Sequence, residues 1–139
     1  MQLNILELIK QKVLKQSGSG KKKGRNSLMS FDLFYQLSYM STIAAAGVPR
    51  DQIFERSAEL QCSSAEYFKR VELARKRLKH DYARACRAVG EPLQEEEVKG
   101  LLLRFSSSLI SGEPEADFLV REANARAEDY ENEYTRHLE

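Results

Sequence analysis

Apolar residues recur at helical spacing along most of this chain, and no segment alternates apolar with polar at period two. Leu33, Leu37, Met40 and Ala44 fall at i, i+4, i+7 and i+11. Tyr67, Val71, Ala74, Leu78, Tyr82, Ala85 and Val89 carry one stripe over 23 residues, and Val98, Leu102, Phe105 and Leu109 carry another. Between them Ile53, Phe54, Ser57, Ala58 and Leu60 mark a shorter helix, and Leu119, Ala123, Arg126, Tyr130 and Tyr134 mark a last one. Stop and start signals separate these runs: Gly47 before Pro49, Gly90 before Pro92, Gly112 before Pro114. The stretch SSAE at 63–66 predicts a capping box, Ser63 with Glu66. The fold class expected is all-α, an antiparallel bundle of five to six helices with short connections.

Three zones organise the chain. Residues 1–16, MQLNILELIKQKVLKQ, have the apolar spacing of a short amphipathic helix. Residues 17–27 contain SGSGKKKGRN, which by composition reads as a flexible basic linker or an engineered join. Residues 28–139 read as one helical domain. The 139-residue length suits a single domain, and 42% apolar residues suffice for a core. With 22 basic and 21 acidic side chains the net charge is +1, so no global field recruits nucleic acid or an anionic membrane. The N-terminus lacks the uninterrupted apolar stretch of a secretory signal, and the longest uncharged run, between Asp32 and Arg50, is too polar for a spanning helix. Cys62 and Cys86 have no metal-site or redox spacing, and His80 and His137 stand apart from them and from each other; the expected setting is reducing and cytoplasmic.

The motifs that invite chemistry mostly reduce to architecture. In LISGEPEADFL, 109–119, Glu113, Glu115 and Asp117 open a helix, where the macrodipole favours carboxylates, after Gly112 has closed the previous one. QEEEV at 94–98 repeats that theme. The stretch GSGKKKGR fails as a phosphate loop, because Lys15 stands where the first glycine belongs and Lys22 where the magnesium-binding Ser or Thr belongs. Ser106, Ser107 and Ser108 have no nucleophile-elbow context. No catalytic residue, metal ligand or cofactor-binding residue is nominated, and the chain is expected not to be an enzyme. The densest basic stretch, 69–84, carries Lys69, Arg70, Arg75, Lys76, Arg77, Lys79 and Arg84 opposite the core stripe. It reads first as a solvated face and second as a docking face for an acidic protein partner, with Arg75, Lys76, Arg77 and Lys79 as candidate contacts.

FDLFYQLSYMSTIAAAGVPRDQIFERSAEL resembles the opening of the F-domain of platform proteins in type II secretion, type IV pilus and archaellum assembly. DYARACRAVGEPL and GLLLRFSSSLISGEPEADFLVREANARAEDYENEYTRHLE are similar to the archaellum and tight-adherence branch. The resemblance covers roughly 28–139. It matches Gly47, Gly90 and Gly112 to helix-ending positions and Glu113 to the acid after the last of them, and it nominates no ATPase-contacting residue. It implies a cytoplasmic helical domain of a membrane platform protein, a hexameric secretion ATPase as partner, and possible pairing through the helical domain. Whole family members span the membrane and this chain has no span, so the expectation is a cytoplasmic portion of such a protein, on the cytoplasmic face of the cell membrane. The alternative is a soluble helical regulator or nucleic-acid-associated protein using the Lys21–Arg25 cluster; the platform reading expects no nucleic acid.

Overall fold

The computed structural model describes residues 25–138, so the N-terminal helix expected at 1–16 and the Lys21–Lys23 run lie outside the described residues. Among the described residues six helices pack antiparallel: α1 (Arg25–Ala45), α2 (Arg50–Ala58), α3 (Ala65–Leu78), α4 (Tyr82–Gly90), α5 (Glu96–Ser111) and α6 (Glu115–Leu138). The all-α expectation holds. The two longest helices, α1 and α6, form the most extensive pair, and α4 lies against α5 and α3. No described helix is long and apolar enough to cross a membrane.

The predicted core positions are largely inside. Leu33, Leu37, Met40, Ile53, Phe54, Val71, Val98, Leu102, Phe105, Leu109 and Leu119 are buried. Phe54 is the hub of the aromatic packing: it stacks on Tyr82 at 4.1 Å and on Phe105 at 5.1 Å and lies 6.3 Å from Phe68. Phe105 passes the contact to Phe118 at 4.7 Å, and Phe31 meets Tyr130 at 5.9 Å where α1 crosses α6. Each such pair adds about 0.5–1.5 kcal/mol beyond its buried area.

α1 also carries the polar joint of the bundle. The fully buried Gln36 amide nitrogen donates to Ser57 O at 2.8 Å and to Ser57 Oγ at 2.7 Å, and its oxygen accepts from Ser64 Oγ. Ser57 Oγ then donates to Met40 Sδ at 3.1 Å. One turn earlier, Asp32 accepts from Ser63 N at 2.8 Å and from Ser63 Oγ. These bonds overturn the capping box. Ser63 is turned toward α1, the first residue before α3 is Ser64 with no side-chain cap bond, and Glu66 pairs with Arg70 at 2.9 Å. A long-range acceptor in a buried site outweighs a solvent-exposed N–H.

The single stripe expected over 67–89 is two helices. Lys79 takes a left-handed conformation with φ 54°, and Asp81 accepts from Arg84 N at 2.8 Å to start α4. Leu78, expected in the core, is therefore 59% exposed at the end of α3. The glycine turns differ from one another. Gly47 and Gly112 have φ of +88° and +80°, and each closes its helix by a paired turn: Val48 N donates to Ile43 O, and Glu113 N to Ser108 O. Gly90 ends α4 as expected but for another reason: a Cβ there would lie 3.0 Å from Leu102 Cβ, so its small size lets α4 approach α5. Pro49 and Pro114 directly precede α2 and α6, whereas Pro92 lies in the connection ahead of α5 and not at its first turn.

Gln36→Leu leaves the Ser57 carbonyl and both serine hydroxyls without their buried partner. It should lower unfolding free energy by about 2–4 kcal/mol, read from chemical denaturation; a loss under about 0.5 kcal/mol means the amide is not the joint between α1 and the α2–α3 corner.

Candidate functional site on the third helix

α3 has two unlike sides because its sequence places Tyr67, Phe68, Val71 and Glu72 on one and Lys69, Arg70, Leu73, Lys76 and Arg77 on the other. The inner side is buried and meets α2 and α4. There Tyr82 of α4 donates to Glu72 Oε1 at 2.7 Å, while Glu72 Oε2 accepts no hydrogen bond among the described residues and has Lys76 Nζ at 3.9 Å. The Arg75 guanidinium covers the Tyr82 ring at 4.4 Å, on a ring that also stacks on Phe54. Burial first, then the bond to Glu72, raises the Tyr82 hydroxyl well above the ordinary tyrosine value. Burial and the Glu95 carboxylate push Tyr67 up to about 12.

The four predicted contact residues therefore separate. Lys76 and Arg77 stand on the exposed side, Lys79 forms the left-handed end of α3, and Arg75 is turned onto Tyr82. Arg75 is a packing residue as much as a surface charge. Missing from the sequence expectation was Leu73, which is 49% exposed in the middle of the cationic side. Its signal was legible: two residues beyond Val71, it is displaced by about 200° around the helix from the core stripe.

The other motifs are structural where they are described. Glu113 takes a two-point bond from Arg121 at 2.6 and 3.2 Å and accepts from Ser108 Oγ at 2.7 Å; Arg121 and then Ser108 hold its carboxyl below the usual value. Glu115 pairs with Arg50 across the corner. The acids of LISGEPEADFL are thus spoken for by arginines or exposed, and no group of three metal-ligating side chains is assembled among the described residues. At the α5 start, Glu97 accepts from Ser30 Oγ at 3.2 Å. Ser106 Oγ donates to Ala83 O at 2.7 Å. Cys62 lies in the α2–α3 connection, and Cys86 is buried in α4 with its thiol pushed up to about 12 by burial. The Lys21–Lys23 run of the nucleic-acid alternative lies outside the described residues, and of Arg25 only the backbone is described, as the first residue of α1.

Two outcomes follow from these environments. Arg75→Ala should cost about 0.5–1 kcal/mol of stability through the lost ring contact, while Arg77→Ala stays within about 0.5 kcal/mol in the same denaturation assay. Equal losses would mean that Arg75 does not pack on Tyr82. Tyr67, Tyr82 and Cys86 all have folded values raised above their ordinary ones, so each favours folding fully below its unfolded value and loses that contribution as pH rises. The denaturation midpoint should hold up to the ordinary thiol value of 9.0 and fall progressively toward 12, with Cys86→Ala removing the earliest part of the fall. A midpoint unchanged over that range contradicts the burial of these groups.

No family model matches the chain, and no curated protein and no solved structure is significantly similar to it. What stands is the architecture: an all-helical domain whose described part is six antiparallel helices.

Proposed function

We propose that this domain is the cytoplasmic part of an assembly-platform protein, one that couples a hexameric secretion-type ATPase to the building of a pilus- or archaellum-like filament or a secretion system. The role is non-catalytic: the domain receives a displacement from the motor and passes it to a membrane-embedded part of the same protein. The supporting observation is the pairing of α1 with α6. The two stretches that carry most of the resemblance, 31–60 and 100–139, are far apart in sequence, yet their helices form the most extensive contact in the bundle. A long helix pair held by Phe31 on Tyr130, with α1 tied separately to the α2–α3 corner by Gln36, behaves as a rigid lever, because packed interiors deform little. In a platform protein the last cytoplasmic helix adjoins the bilayer, which gives such a lever a load to move.

The test is co-purification of the full chain with the assembly ATPase of the same cell, together with deletion of its gene. A stable complex and loss of filament assembly or secretion are expected. Absence of both overturns the platform role. Phe31→Ala, which loosens the lever, should impair assembly while leaving ATPase binding within about twofold.

A further inference from the structure

We infer that the exposed side of α3 is a docking surface for an acidic amphipathic helix of a partner protein, centred on Leu73. The inference rests on the platform reading for the identity of the partner, not for the chemistry of the surface. Leu73 is 49% exposed, and the residues at i−4, i−3, i+3 and i+4, its nearest neighbours on a helix surface, are Lys69, Arg70, Lys76 and Arg77. All four are exposed. An apolar side chain ringed by four cations is the complement of a helix that presents one apolar residue among carboxylates. Residues 65–79 carry six cations and two carboxylates in a chain whose net charge is only +1, so this is a local feature and not a property of the whole surface.

The two acids of α3 do not close the site. Glu72 is on the buried side, and Lys76 is only loosely paired with it at 3.9 Å. The Arg70–Glu66 pair is a surface i,i+4 contact, and such pairs contribute little and exchange readily. The inner side of the helix is meanwhile fixed by Phe68, Val71 and the Tyr82–Glu72 bond, so the cations project from a preorganised element.

Other occupants fit less well. A single-stranded nucleic acid gains little from a central leucine and finds no exposed ring on α3 to stack on, since Tyr67 and Tyr82 are buried. A bilayer needs a continuous apolar stripe, but Leu73 and the other exposed leucine of α3, Leu78, lie on different sides of the helix. A second copy paired face to face sets like charges against each other.

The probe is a synthetic helical peptide with one leucine flanked by glutamates at i±3 and i±4, titrated into the isotope-labelled full chain by NMR and calorimetry. Shifts should concentrate on 69–77. Leu73→Ala keeps a good helix former at a surface position and should weaken binding about fivefold or more. Arg77→Glu should weaken it about tenfold or more, and added salt should weaken the unsubstituted chain. Affinity of Leu73→Ala within about twofold of the original, or shifts centred elsewhere, overturns the inference. Anionic phospholipid vesicles that bind more tightly than the peptide, or a Leu73-dependent dimer in sedimentation, overturn it in favour of a membrane or a second copy. The two proposals fail separately. Peptide binding here without any ATPase complex removes the platform role alone. An ATPase complex that survives both Leu73→Ala and Arg77→Glu at full affinity removes this surface alone.

Discussion

The side-chain amide of Gln36 is the joint on which the arrangement of the first three helices depends. It uses both its donor and its acceptor capacity on Ser57 and Ser64, which sit at the end of α2 and just ahead of α3. A buried amide satisfied in this way specifies one relative position of its partners, since any slip leaves several polar groups unpaired in an apolar surrounding. Asp32 repeats the interaction one turn away by holding Ser63. The α2–α3 connection is therefore tied to α1 by side chains, while the hydrophobic contacts of Phe54 and Phe68 supply the bulk of the packing.

From that joint the placement of α3 follows. Its inner side is set by α1 through the two serines and by α4 through Tyr82, Glu72 and Arg75. The outer side inherits a fixed orientation, with Leu73 and four cations facing solvent. Arg75 belongs to the inner machinery although it sits in the middle of the basic stretch. Charge density along a sequence and charge density on a surface are thus different quantities, and only the helical register converts one into the other.

The core helices were legible because period 3.6 repeats over many residues, as in Leu33, Leu37 and Met40 or Val98, Leu102 and Phe105. Gly47 and Gly112 were legible because a left-handed helix end selects glycine. Harder to read was the break after Leu78: the stripe keeps its register through Tyr82, so periodicity alone joins α3 to α4. The aspartate of KHDYAR is the local signal, and it acts as the cap that separates them. The Ser63–Glu66 pattern misled because a local motif competes with partners distant in sequence, here Asp32, that no window includes. Gly90 was placed correctly at a helix end, while its reason, the approach of Leu102, exists only between helices. For the candidate site, the cations were visible in the sequence, but the inward turn of Arg75 depends on a ring from another helix.

The ion pair between Arg50 and Glu115 carries a topological consequence. It brings the corner after α1 next to the corner before α6, so both glycine turns lie at one end of the bundle. Because α1 and α6 run antiparallel, Arg25 and Leu138 lie together at the opposite end. The helical unit thus enters and leaves through one doorway. It can be spliced into a loop of a host protein, or have those two positions joined and the chain reopened between α4 and α5, without breaking any helix pairing.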